Sequence, residues 1–202
     1  MYNKPLIGYG VLSQQDCQDA IDFCLHHAEK SVGKVGGSIE NESGEYDKNV
    51  RNVTVYSPPQ DMSEYEFSRY GFNIHKFFDP IFDANYHFYD FDVDGSTEFH
   101  FLKYEVGCHY NLHSDIGNHK EVELMMLDTR KLSFSIFLND DYEGGDLVFS
   151  GIPSEHYMKP DTPCKTGDII VFPSYLYHEV KPVTSGVRWV GVGWLHGKKP
   201  FK

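Results

Sequence analysis

At 202 residues, with 15% aromatic and 40% hydrophobic content, the chain can bury a sizeable core, which excludes a largely disordered protein and one that needs metal or disulfide staples to fold. Its 18 Lys+Arg face 30 Asp+Glu, and the net charge of −12 opposes a phosphate backbone and an anionic membrane, making nucleic acid and membranes poor partners. The four cysteines, Cys17, Cys24, Cys108 and Cys164, lack C-x-x-C spacing and read as reduced thiols, and MYNKPLIGYGVLSQQD lacks a signal-peptide apolar region, so the expected location is the cytoplasm.

In chain order, Ser13 followed by Asp16 is a helix-capping pattern, and Cys17, Ala20, Ile21, Cys24, Leu25 and Ala28 then recur at helical spacing. From Ser31 to Asn49 glycines replace large apolar residues, which predicts a loop and a candidate lid over 31–49. A strand is expected at Arg51 to Tyr56. A helix beginning near Ser63 would carry Phe67, Tyr70, Ile74, Phe77, Phe78 and Ile81 on one face, with Pro80 ending or kinking it. Beyond Tyr86 the pattern changes to short strands: HFYDFDV, EFHFLKYEV, YNLHSD, KLSFSIFLN, DLVFS, DIIVFP, LYHEV and VRWVGVGWL, separated by glycine turns. Short strands without intervening helices predict a β-sandwich or jelly roll. The expected organisation is one domain over 1–202, with a helix-rich supporting region at 1–85 and the β core at 86–202.

The chemistry centres on HYNLHSD, residues 109–115. His113 and Asp115, two apart in a strand, project to the same side with Ser114 turned away. H-x-D alone is a weak signal in a chain with 11 His and many acids, so partners elsewhere decide its meaning. His178, in FPSYLYHEV, is the third candidate. Two imidazoles and one carboxylate on one face of an ion leave the opposite positions open, an arrangement associated with non-haem Fe(II). Zinc uses similar ligands, and a closed zinc site would take a fourth, for which His109 is available. Arg188, in GVRWVGVGW, would place a guanidinium in a β-rich interior, which is costly unless a carboxylate meets its planar fork. Tyr104, alternating with Leu102, can offer its hydroxyl to the same anion. His26, His27, His75, His87, His119 and His156 have no partner at ligand spacing, and the glycines before Asp146 and Asp168 read as turns, not phosphate loops.

Three stretches, YEVGCHYNLHSD, RKLSFSIFLNDDYEGGDLVF and KTGDIIVFPSYLYHEVKPVTSGVRWVGVGWLH, resemble in order and spacing the Fe(II)/2-oxoglutarate-dependent oxygenases of the prolyl 4-hydroxylase type, especially the bacterial PKHD-type hydroxylases. That resemblance implies a mainly β (α+β) fold, with a double-stranded β-helix, or jelly-roll, core and supporting N-terminal helices. It implies His113, Asp115 and His178 as iron ligands, Arg188 as the anchor of the distal carboxylate of 2-oxoglutarate, and Tyr104 as a second contact to that carboxylate. Phe137 stands where some relatives carry a cosubstrate-contacting tyrosine. Arg130 and Trp194 resemble positions near the substrate entrance.

The implied cofactors are Fe(II), 2-oxoglutarate and O2, with ascorbate as reductant. The implied reaction hydroxylates a C–H bond and releases succinate and CO2, with a peptide or protein substrate and proline first in line. The same chemistry on a free amino acid or other small molecule, and a non-catalytic cupin-like metal-binding protein, are the competing readings; nucleic-acid demethylation is disfavoured by the charge.

Overall fold

In the computed structural model the described residues are 3–34, 46–59, 73–95, 97–116, 129–150 and 164–197. After strand β1 (Leu6–Gly8) comes helix α1 (Gln14–His27). The backbone N–H of Asp16 donates to Ser13 Oγ at 3.1 Å, and the N–H of Ser13 donates to the Asp16 carboxylate at 3.2 Å, so two orphan donors of the first turn are satisfied reciprocally. Cys17, Ala20 and Cys24 are buried as expected, but Phe23 joins them and Leu25 points out.

Strand β2 (Glu29–Val32) takes in Ser31 and Val32, the first residues of the expected loop, by pairing with β4 (Thr54–Ser57). Most of the candidate lid, residues 35–45, lies outside the described residues. Between these strands lies the two-residue β3 (Arg51–Asn52). Helix α2 (His75–Ala84) buries Phe77, Phe78, Ile81 and Ala84, while the expected positions Phe67 and Tyr70 fall outside the described residues. Pro80 sits inside this helix and does not end it. Its missing N–H would have bonded the Lys76 carbonyl in the first turn, so little of the helix is disturbed.

The strand expected at HFYDFDV is absent. Residues Asn85–Tyr89 form one wide helical turn, closed by the Asp90 N–H donating to the Asn85 carbonyl at 2.7 Å, and Asp90 is left-handed (φ 55°). The cause is Asn85. Its Nδ2 donates to the Phe91 carbonyl and its Oδ1 accepts the Phe91 N–H, both at 3.0 Å, so the side chain occupies the backbone groups a strand neighbour would need.

The remaining strands are β5 (Thr97–Tyr104), β6 (His109–His113), β7 (Thr129–Phe137), β8 (Glu143–Gly144), β9 (Leu147–Phe149), β10 (Ile169–Pro173), β11 (His178–Val180), β12 (Val183–Ser185) and β13 (Arg188–Gly197). They form a seven-stranded sheet ordered β1-β10-β7-β13-β5-β4-β2, a four-stranded sheet ordered β3-β6-β11-β9, and the small pair β12-β8. Among the described residues every strand pairing is antiparallel. Four strands from the first 85 residues, β1 to β4, extend these sheets, so that region supplies sheet edges as well as helices.

Strand alternation sorts the large sheet into two faces. Phe99, Phe101, Leu132, Phe134, Ile136, Ile169, Val171, Trp189 and Leu195 pack with the buried faces of α1 and α2. The opposite face carries Leu102, Tyr104, Phe137, Ile170, Phe172, Arg188 and Val190, several of which cluster with Val180 and Phe149 of the smaller sheet. Gly193 permits this layering: a Cβ there would come within 2.5 Å of Phe134 Cζ, where no side chain fits. The result is a mainly β architecture with a jelly-roll core and, among the described residues, two supporting α-helices.

Candidate functional site

Strands β6 and β11 pair so that His113 lies directly opposite His178. Their ring centroids are 4.3 Å apart. Asp115 lies two residues beyond the end of β6, so strand alternation does not orient it as the H-x-D spacing suggested. A bond to another part of the chain places it: its backbone N–H donates to the Ser174 carbonyl at 2.9 Å. Its carboxylate stands 3.6 Å from Nε2 of both His113 and His178. One ligand atom from each of the three residues falls within 4.8 Å of the others, a spacing that could hold a metal ion.

Both imidazoles are preset for that role. Nδ1 of His113 meets the Asn111 carbonyl at 2.8 Å and Nδ1 of His178 meets the Leu176 carbonyl at 2.9 Å. A carbonyl only accepts, so Nδ1 carries a proton in each ring, and Nε2 is the nitrogen that faces Asp115 and is left to bind a metal. Burial and neighbouring His178 push the His113 pKa down to about 4, which keeps that ring neutral. Burial works against ionising Asp115, but His178, His113 and the Ser133 hydroxyl outweigh it and hold the carboxyl below its ordinary range. Ser133 Oγ donates to Asp115 Oδ2 at 2.6 Å. The indole N–H of Trp194, cross-strand from Ser133, also helps lower Asp115, yet it lies outside hydrogen-bonding geometry.

His109 does not join the cluster. Its ring nitrogens meet the carbonyls of Gly107 and Asn49 at 3.1 and 3.3 Å. Among the described residues no fourth ligand completes a closed zinc site.

Arg188 and Tyr104 are direct partners across β13 and β5. Arg188 is 1% exposed, with its guanidinium carbon 5.1 Å from the Tyr104 ring centre and 5.2 Å from that of Phe137. Its Nε and Nη1 are buried without a hydrogen-bond partner among the described residues. A buried cation left open in this way is unfavourable unless an anion arrives.

Arg130 is neither isolated nor freely solvated. Its guanidinium carbon lies 3.8 Å from the Trp194 ring centre, and its Nη2 donates to Glu98 at 2.7 Å. Glu98 also receives His100 at 3.2 Å and has His196 at 3.7 Å, forming a polar rim around the half-buried tryptophan.

Sequence reasoning missed four contributors. Tyr110 stacks on His113 at 3.6 Å and has the Arg51 guanidinium 4.7 Å from its ring centre, Ser133 bonds Asp115, and Glu98 and Tyr142 flank Arg130 and Arg188. The alternation of KLSFSIF does place Ser133 and Phe137 on one face, a usable signal, but its partner strand is not readable locally.

Residues 99–196 match the family model of the 2OG-Fe(II) oxygenase superfamily, and the trio and the buried arginine all fall within this stretch. Among curated relatives, a PKHD-type hydroxylase of Gloeothece citriformis is 40% identical over 99 residues, 47% of this chain. The chain spans about 40% of the length of that relative. Among solved structures, a Pseudomonas putida prolyl-4-hydroxylase matches with a TM-score of 0.65 and 17% identity, over 96% of this chain and 93% of its own. A prolyl hydroxylase from Trichoplax adhaerens, in complex with a peptide fragment of the hypoxia inducible factor oxygen degradation domain, matches with a TM-score of 0.65 and 18% identity, over 96% and 83%. At such identities these two show a shared fold.

Proposed function

We propose that the chain is an Fe(II)- and 2-oxoglutarate-dependent dioxygenase that hydroxylates a C–H bond, foremost that of a peptidyl residue such as proline, with release of succinate and CO2. The observation that carries this reading is the pairing, among the described residues, of an open three-ligand cluster with a buried guanidinium whose Nε and Nη1 have no partner inside the same β core. His113, Asp115 and His178 would hold the iron. The donor set suits it: two imidazole nitrogens and one carboxylate oxygen gather together and leave other positions to ligands.

When bound, iron with 2-oxoglutarate and O2 supplies an oxidant able to insert one oxygen atom into a C–H bond while the keto acid becomes succinate and CO2. The chain's role is positioning. Asn111 and Leu176 carbonyls fix the imidazole tautomers, and Ser133 orients Asp115. Arg188 anchors the distal carboxylate of the cosubstrate, with Tyr104 beside it as a second contact. Arg130 and Trp194, stacked at the rim next to Asp115, would meet the substrate. The aromatic walls from Phe137, Phe149 and Phe172 exclude water from a site where a reactive oxidant forms.

A peptide substrate draws support from the Trichoplax neighbour's bound peptide, and the net charge of −12 argues against nucleic acid. Ascorbate as reductant, a cytoplasmic location in keeping with four free cysteines, and a single domain spanning 1–202 complete the proposal. Among the described residues no helix is long and apolar enough to cross a membrane. The test supplies Fe(II), ascorbate, O2 and 2-oxoglutarate and measures succinate, then screens proline-containing peptides by mass spectrometry for gain of one oxygen atom. Absence of both coupled and uncoupled turnover overturns the enzyme reading.

A further inference from the structure

The connection between β7 and β8 grips the strand that bears Arg188. Asn139 Oδ1 accepts the Trp189 N–H at 2.7 Å, and Asn139 Nδ2 donates to the Val187 carbonyl at 2.7 Å, so one side chain holds both neighbours of Arg188. The same Nδ2 donates to Asp141 at 2.6 Å, which ties the clasp to the turn carrying Tyr142.

Tyr142 is then confined by two glycines with positive φ. A Cβ on Gly186 (φ 73°) would lie 3.2 Å from Tyr142 Cβ. One on Gly145 (φ 66°) would lie 2.9 Å from Arg188 Cδ and 3.5 Å from Tyr142 Cε2. The ring edge of Tyr142 and the stem of Arg188 therefore flank the same bare backbone atom, where a Cβ would crowd Arg188 and meet Tyr142 at ordinary contact distance. Of the rings around the guanidinium, Phe137 has no hydroxyl to give. Tyr142 does, and it feels the cation: burial raises its pKa, while Arg188 pulls against that rise.

We propose that Tyr142 is a further binding residue for the cosubstrate, its hydroxyl accepting from the Arg188 guanidinium and donating its own proton to the distal carboxylate held there. A phenol that accepts from a cation becomes a stronger donor, and a carboxylate is the natural acceptor. The inference rests on the 2-oxoglutarate reading and assigns a specificity role within it. Tyr142 would discriminate a dicarboxylic keto acid from a monocarboxylic one.

The test titrates 2-oxoglutarate and pyruvate, which lacks the distal carboxylate, calorimetrically into Mn(II)-loaded wild type and Tyr142→Phe. The variant should bind 2-oxoglutarate about tenfold more weakly, ~1.4 kcal/mol, and pyruvate equally well. Unchanged 2-oxoglutarate affinity, or equal losses for both acids, overturns the role of Tyr142 while leaving Arg188 as anchor. A wild type that does not prefer 2-oxoglutarate to pyruvate overturns the anchor reading itself, and this inference with it.

Discussion

Around the candidate metal-binding trio both imidazole Nδ1–H groups and one oxygen of Asp115 are already bonded within the chain, whereas across the interior Arg188 keeps Nε and Nη1 without partners among the described residues. One region is built to hold its geometry before any ligand arrives. The other leaves a buried charge open among the described residues, which on the proposed function a ligand would relieve. On that reading the difference separates two kinds of binding energy: at the cluster little would be spent on ordering, and at the arginine the ligand would remove a pre-existing penalty.

The largest expected effect breaks the first region. Asp115→Ala removes the only carboxylate of the trio and should lower Mn(II) affinity by at least about 100-fold and succinate formation by more than about 1000-fold. Electron paramagnetic resonance of free Mn(II) reads the first, and retained wild-type affinity would refute ligation by Asp115.

Arg188→Met tests the second region and should uncouple cosubstrate binding from metal binding. The KM for 2-oxoglutarate should rise by roughly 100-fold, as loss of a bidentate charged contact implies, while Mn(II) affinity stays unchanged. In the ligand-free state the variant should nevertheless melt several degrees higher, because an apolar side chain of similar reach replaces a buried cation with two nitrogens unpartnered among the described residues. A ligand-free melting point below that of the wild type would mean that the guanidinium is already satisfied.

Ser133→Ala sharpens the comparison from the metal side. Loss of the 2.6 Å bond to Asp115 frees one oxygen to rotate, and metal affinity should fall by about 10-fold. The preference for 2-oxoglutarate over pyruvate should not move, since Arg188 and its neighbours are untouched. A change in both would show that the two regions are coupled.

How much of this was legible in the sequence follows the same division. His113, Asp115, His178, Arg188 and Tyr104 are singled out by H-x-D, a weak signal on its own, and by the order and spacing of the flanking text, although Asp115 lies beyond β6 and is placed by the Ser174 carbonyl and not by strand alternation. What supports them is not legible in this way. Ser133 reaches Asp115 and Ser174 from a strand whose register is set by long-range pairing, and Asn139 clasps a segment 50 positions away. A one-residue slip in any of these pairings would send each side chain to the opposite face, and local text carries no record of register. The misread HFYDFDV segment has a different origin. Its alternating aromatics satisfy a strand pattern, but Asn85, just upstream, captures the backbone of Phe91 and turns the chain instead.

The smallest effect concerns the rim, which belongs to neither region. Burial opposes ionisation of Glu98, but His100, His196 and Arg130 more than offset it, and its pKa lies far below the ordinary carboxylate range. In the unfolded chain it returns to about 4.3. A depressed carboxylate stabilises the fold above the unfolded value and loses that contribution progressively as pH falls beneath it. Glu98→Gln keeps the shape without the charge, so the metal-free wild type should melt higher than the variant near pH 6, and the gap should narrow as pH falls from about 4 toward pH 3. The carboxylate is 36% exposed, so solvent screens it and the gap at pH 6 should be on the order of 1–3 °C. Arg130 should loosen from Trp194 in the same variant, read as a shift in tryptophan fluorescence. A gap that stays constant from pH 6 to pH 3 would mean that packing alone, and not the charge on Glu98, holds the stacked pair at the rim.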